Sequence, residues 1–332
     1  MGYWRTTARF FAAVQLLPAL EAGEEILVGG QAVLEGVMMR SPHAWGIAVR
    51  KPSGEVVRHS EPLERPSEKH KWMGWPVLRG VMTLGHAMTL GYKALRFSAN
   101  VALDEIPANE KGEKVEISGW MATLNIVMSL AFFIFMYKFV PLAIATGMKS
   151  VHPIFSNWIM FNVVDSAVRI GIFLMFIWGV SLFPDIKRVY QYHGAEHKTV
   201  FAFEASNGGP VDVATAQKFV TWHPRCGTSF LMTVMLISMV FYILLPVPTF
   251  WMKFALRIVL LPVIAGVSYE IIRFAAKHQG KLSLFTLMTA PGLWLQRITT
   301  QPPSDDQVEC AIVALDEAME LEKQRGGELV LA

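Results

Sequence analysis

The chain has 332 residues, 53% of them hydrophobic, and a mean hydropathy of +0.37. That length suits two or three soluble domains or one membrane bundle with attachments, and the hydropathy favours the bundle. A net charge of +3 supplies no global field for nucleic acid, so no nucleic-acid partner is expected.

Residues 1–24 form an N-terminal segment. Arg5 and Arg9 precede an apolar run at 10–20 in the manner of a signal peptide, and Gly2 with Thr6 fits a short myristoylation pattern. Cleavage would export the N-terminal region, against the distribution of basic residues along the chain, so an uncleaved cytoplasmic start is expected. Residues 25–70 read as a small cytoplasmic β region, with apolar or alternating runs at 26–39, 46–50 and 55–59 and a turn at Pro52-Ser53-Gly54. So small a sheet must lean on something else. Its glycine-rich stretch, Gly29 to Gly36, contains the acid Glu35. It lacks the spacing of a phosphate or dinucleotide loop and predicts a tight sheet edge, with Glu35 kept as a candidate site residue. Residues 71–100 predict an amphipathic helix with Arg79, His86 and Lys93 on one stripe, lying in a membrane interface or packed on the sheet. Residues 101–118 are a polar linker.

Four apolar runs come next, at 119–140, 159–183, 228–245 and 251–269, each reaching the roughly 18–20 residues that cross a hydrocarbon core of about 30 Å. Segment 184–227 carries Lys187, Arg188, Lys198, Lys218 and Arg225. The tail carries Arg273, Lys277, Lys281 and Arg297, while the 141–158 turn has only Lys149. The positive-inside rule then places both termini and segment 184–227 in the cytoplasm. The expected fold is mainly α: a polytopic membrane protein with about four transmembrane helices, a small cytoplasmic β region and interfacial amphipathic helices. The spans pair as 119–183 and 228–278 around the cytoplasmic loop 184–227, and 279–332 forms a cytoplasmic C-terminal segment. Asp165 and Arg169, four apart in the second span, predict a structural ion pair that Arg257 joins or snorkels away from. Residues 282–296, interrupted by Pro291-Gly292, predict an interfacial or re-entrant segment. Residues 304–324 predict a polar amphipathic helix, with Ser304 as N-cap and Gly326-Gly327 as its end. Cys226 and Cys310 are the only cysteines, and on the reducing side no disulfide is expected.

Segment 184–227 carries the strongest chemical signal. Pro184-Asp185 predicts a helix start and Asn207-Gly208-Gly209 its stop. Within it, His193 and His197 stand one turn apart, as two ligands of one ion must, and Glu196 shares nearly the same face. This is the H-x-x-E-H spacing of inverted zincins, in which the acid serves a water activated by the ion. A second cluster, His223-Pro224-Arg225-Cys226-Gly227-Thr228-Ser229, lies just before the third apolar run. His223 precedes proline and is expected to be extended. Cys226 opens a helix, where the dipole favours a thiolate. Either offers a third ligand of a type that zinc accepts, and Arg225 is a candidate for an anionic substrate group. Glu270 and His278, at the cytoplasmic end of the fourth run, are further candidates to approach the site, and an inverted zincin normally takes a distant Glu as third ligand.

The runs Gly-Gly-Gln-Ala-Val-Leu-Glu-Gly-Val-Met-Met-Arg at 29–40, Tyr-His-Gly-Ala-Glu-His-Lys at 192–198, His-Pro-Arg-Cys-Gly-Thr-Ser at 223–229 and Gln-Arg-Ile-Thr-Thr-Gln-Pro-Pro at 296–303 resemble the YqhQ-like membrane protein family, a domain of unknown function (number 1385) described as predicted metal-dependent enzymes. The resemblance runs from about residue 25 to 322. It implies a multi-pass protein of a bacterial-type inner membrane and supports a metal at His193 and His197, but supplies no reaction. The expected function is a zinc-type hydrolase at the cytoplasmic face, acting on a membrane peptide or a lipid. Glu196 is the catalytic acid–base group, and one divalent metal is held by His193 and His197 with His223 or Cys226. The alternative is a metal-stapled membrane scaffold or accessory factor without catalysis, favoured if all four of these side chains bind the ion. A transporter would need more polar groups at mid-membrane than Asp165 and Arg169.

Overall fold

The computed structural model describes residues 28–64, 71–103, 119–223, 226–277 and 284–324. Residues 1–24, most of the linker, Arg225, His278 and the Gly326-Gly327 stop signal lie outside the described residues. Chain order is β1 (Gly29–Val33), β2 (Gly36–Arg40), β3 (Ala44–Arg50), β4 (Val56–Pro62), α1 (Leu78–Leu103), α2 (Gly119–Ile134), α3 (Val140–Met148), α4 (Trp158–Val180), α5 (Pro184–Ala205), the single turn α6 (Val213–Ala216), α7 (Gly227–Leu244), α8 (Phe250–Val259), α9 (Leu261–Lys277), α10 (Leu284–Thr299) and α11 (Asp305–Gln324). These elements fall into two compact units. Unit 1 is Met1–Leu103, Pro184–His223 and Thr299–Ala332, and unit 2 is Asp104–Phe183 and Pro224–Ile298.

Unit 1 is built on an antiparallel meander in the order β1-β2-β3-β4. The expected run at 26–39 is in fact two strands. Val33 pairs with Gly36, leaving Leu34-Glu35 as a two-residue turn in which Glu35 adopts φ 53°. Alternation along the strands sends side chains to both faces, and both are covered. Val37, Met39 and Ala48 pack against Tyr192 and Ala195 of α5 and Ala311, Ala314, Leu315 and Ala318 of α11. Val33, Met38, Trp45, Ile47 and Val49 pack against Leu90, Ala94 and Val101 of α1. The small sheet therefore does lean on helices. Residues 304–324 are more than a polar amphipathic helix, since α11 supplies much of the unit's core.

Helix α1 thus packs on the sheet, the second of the two readings of this segment, and of its cationic stripe Arg79 turns inward while Lys93 stays exposed. Arg79 is buried, and Lys93 donates to Glu61 at 3.1 Å. Burial, with the nearby charges of Arg40 and Lys93, pushes the His86 imidazole below the usual histidine range. The outward face of α1 also carries Met88, Tyr92 and Leu95.

In unit 2, three helical stretches among the described residues are long and apolar enough to cross a membrane: Val127–Met148, Trp158–Val180 and Gly227–Leu244. The first lies further along the chain than the run at 119–140. A π turn at Phe135–Phe139, closed by Val140 N–H donating to Phe135 O, carries the helix past Pro141 and keeps Lys138 within it. The expected fourth span is broken, because α8 and the apolar part of α9 meet at 50°. Pro262, in the first turn of α9, supplies the cause. It has no N–H to offer and its ring would clash with the preceding turn of a continuous helix. Residues 284–299, by contrast, form one helix through Pro291. Gly292 there comes so close to α7 that a Cβ would sit 2.5 Å from Ser229 Cα.

Candidate metal centre

Helix α5 begins at Pro184, where the missing N–H costs nothing. It ends where Asn207 (φ 53°) and Gly208 (φ 77°) turn left-handed and Gly208 N–H donates to Phe203 O at 3.0 Å. Both ends match the sequence signals. His193 and His197 stand on one face, ring centroids 4.5 Å apart. Each ring is held from behind by the main chain. His193 Nδ1 lies 2.8 Å from Thr299 O, and His197 Nδ1 contacts Thr221 O. A carbonyl only accepts, so both Nδ1 atoms carry a proton, and in the neutral ring it is Nε2 that presents the lone pair.

Those Nε2 atoms converge on Glu196. Its Oε2 is 3.8 Å from His193 Nε2 and 3.7 Å from His197 Nε2, beyond hydrogen-bond reach. The carboxylate thus stands beside both Nε2 atoms without closing a hydrogen bond to either, the place of a group that would serve a water on an ion held by the two imidazoles. Glu196 and His197 are buried. The donor types, the fixed tautomers and the burial together fit a zinc-like ion.

His223 joins this group from outside any helix, as its place before proline required. It is buried, and its ring lies 5.6 Å from His197, 4.5 Å from Phe201 and, through Nε2, 3.8 Å from Glu204 Oε2. Burial pushes its imidazole below the usual histidine range, and the Glu196 carboxylate opposes that in part. The neutral form that a metal ligand needs is thereby favoured.

Two supporting features were invisible in the sequence. Residues 299–301 dock along α5: Gln301 N–H donates to Tyr190 O at 2.9 Å, and Thr300 Oγ1 lies 3.3 Å from Thr221 Oγ1. That docking requires a glycine at 194, because a Cβ there would meet Gln301 O at 2.1 Å. Lys198, which the sequence offered only as a cytoplasmic charge, is buried and donates to Gln217 O at 2.7 Å and Phe219 O at 2.6 Å. It pins the stretch that carries Thr221 and His223.

Glu35 is held by Arg188, with Nε at 2.6 Å and Nη2 at 2.5 Å, and is 3.4 Å from the Tyr192 hydroxyl. Its glycine-rich run nevertheless touches the site, because Gly30 on the edge strand leaves a Cβ position only 2.8 Å from Glu196 Cγ. Cys226 belongs to unit 2. It is buried at the N-terminal flank of α7, with its Sγ 3.2 Å from Thr228 Oγ1. Glu270 also belongs to unit 2, on α9.

A helical protein with a covered meander and a buried His-Glu-His group is thus the class defined by fold and site. A family model described as "Protein of unknown function (DUF1385)" matches residues 75–321, and the chain belongs to that family. The chain is also 33% identical over 300 residues to "Uncharacterized protein YqhQ" of Bacillus subtilis (strain 168), covering 89% of this chain and 92% of the relative. No solved structure matches.

Proposed function

We propose that this protein is a membrane-embedded, metal-dependent hydrolase whose site faces the cytoplasm. The observation that carries the reading is the pair of imidazoles whose Nδ1 atoms are tied to the Thr299 and Thr221 carbonyls while their Nε2 atoms flank one buried carboxylate. The long apolar helices and the cation-rich segment 184–227 support the bilayer setting and the orientation.

His193 and His197 hold one divalent ion, zinc by ligand type, with His223 or Cys226 as third ligand. Cys226 follows His223 by three residues, so the chain alone keeps their Cα atoms within about 10 Å. When bound, such an ion acidifies water and polarises a carbonyl or phosphoryl group. Glu196 takes up the proton at Oε2 and delivers it to the leaving group. The Thr299 and Thr221 carbonyls keep the imidazoles in one tautomer throughout. A membrane peptide or a lipid headgroup is the substrate class, and Arg225 binds its anionic group.

The burial of His223 beside His197 favours a second reading, in which His193, His197, His223 and Cys226 close a four-ligand structural site and the protein is a scaffold or accessory factor. Metal analysis of protein purified without chelator tests both readings. About one equivalent is expected in wild type and none in His193→Ala, and a metal-free wild type sinks both. Glu196→Gln keeps the metal under either reading. Cobalt-substituted protein then separates them. A hydroxamate changes the visible spectrum if a coordination position is open, as hydrolysis requires, and leaves it unchanged at a closed site.

A further inference from the structure

Among the described residues, unit 2 gathers three buried cations around one buried acid. Lys138, Arg169 and Arg257 are each at most 8% exposed and gather around Tyr242. Lys138 Nζ is 3.2 Å from the phenol oxygen, and the guanidinium carbons of Arg169 and Arg257 lie 5.1 and 4.8 Å from the ring centroid. Asp165, fully buried, is the acid among them, and both of its oxygens are committed. Oδ2 accepts from Arg169 Nη2, and Oδ1 accepts from Arg257 Nη1 at 2.5 Å. The other acid among the described residues of this unit, Glu270, stands thirteen positions beyond Arg257, past the bend in the chain. One carboxylate thus faces three cations.

The ion pair expected between Asp165 and Arg169 is present, and Arg257 joins it. Among the described residues it leaves Lys138 no carboxylate of its own to pair with, since both oxygens of Asp165 serve the arginines. Nor are the local polar groups all satisfied. Arg169 Nε and Ser166 Oγ are buried and have no hydrogen-bond partner among the described residues, and the same holds for Asn162 Oδ1. Asn162, Asp165, Ser166 and Arg169 share one face of α4 by their spacing. Among the described residues, the hydrogen bond of Lys138 is to Tyr242 alone. An ion left unneutralised in such surroundings is costly, and a bound counter-ion would relieve that cost.

We propose that this cluster binds a small inorganic anion of halide size, held by Lys138 and by the Nε–H of Arg169, with the Ser166 hydroxyl as a further donor. The geometry favours a spherical ion over a tetrahedral oxyanion. The two terminal nitrogens of Arg169 already serve Ser238, at 2.6 Å, and Asp165. The terminal fork of Arg169 that would suit phosphate is therefore occupied, and its Nε–H remains as a single-point donor. This site is separate from the histidine group and does not depend on the metal reading.

The test uses full-length protein in detergent or nanodiscs, melted in sodium chloride, sodium bromide, sodium phosphate or sodium gluconate at equal ionic strength. Chloride and bromide should raise the melting temperature saturably, by several degrees over gluconate, because a ligand that binds only the folded state stabilises it. The chloride-35 NMR line should broaden with wild type. Ser166→Ala should weaken the chloride response several-fold, and Lys138→Met should abolish it. Equal melting in chloride and gluconate with no line broadening overturns the proposal, as does a full chloride response in Lys138→Met. A response to phosphate alone overturns the halide assignment. If Lys138→Met does not fold, the wild-type line width and Ser166→Ala decide the matter.

Discussion

Gly194→Ala tests the backing of the histidine pair most directly. The added Cβ would lie 2.1 Å from Gln301 O and 3.2 Å from Thr221 Cγ2, so it strikes the two segments whose carbonyls hold His193 and His197. Gln301 cannot simply retreat, because its N–H is bonded to Tyr190 O on the same helix. Overpacking of this kind costs about 1–3 kcal/mol, and a backbone atom as the obstacle puts the cost near the upper end. Alanine returns up to about 1 kcal/mol of helix propensity over glycine. A net loss of about 1–2 kcal/mol remains, a melting decrease of several degrees. Gly85→Ala on α1 is the matched control, since nothing lies within 4 Å of its Cβ position. It should gain about 0.5–1 kcal/mol. Thermal unfolding of the two variants beside wild type measures the difference. If Gly194→Ala melts at or above Gly85→Ala, then residues 299–301 do not press on α5. Metal content should fall along with stability, since both imidazoles lose their fixed partners.

Lys198→Met should destabilise unit 1 by about 1–3 kcal/mol, because two buried carbonyls lose a charged donor; limited proteolysis around 217–223 should quicken, and unchanged cleavage would contradict the pinning role. Glu322 accepts from Ser41 Oγ, His43 N–H and His43 Nδ1, all at 2.7 Å. Burial works to raise its carboxyl, but those hydrogen bonds outweigh it and hold the group below the usual glutamate range. Its contribution is therefore present above an ordinary glutamate pKa of about 4.3 and is lost as pH falls through the lower folded value. Glu322→Gln should melt lower than wild type at pH 7, with the gap closing in acid; a gap that persists unchanged at pH 3 would refute the linkage.

Local chemistry made α5 readable: a proline start, an Asn-Gly stop and two histidines one turn apart. The turn at Leu34-Glu35 was hidden because neither residue is a usual turn former. Arg188, distant in sequence, grips the Glu35 carboxylate there, and Gly36 admits β3 so closely that a Cβ would meet Ala48 O at 2.2 Å. The first apolar helix is offset for a similar reason. Lys138 reads as the end of a span, yet Tyr242 on another helix takes it into the interior. Lys198 looked like one more surface cation because the carbonyls that hold it belong to a later stretch of chain. What escaped sequence reasoning in each case was a long-range partner rather than a local preference.

Unit 1 is stitched from three separated stretches of chain, and its last stretch contributes α11 to the core. During synthesis, then, strands made among the first sixty-odd residues wait for a helix that ends at Gln324. Until the ribosome releases that helix, Val37, Met39 and Ala48 lack their final cover. The apolar helices of unit 2 emerge in the interval, before the meander is sealed. A chain cut short before α11 would keep every long apolar helix and both motif histidines of α5, yet would leave the sheet with one face open to aggregation.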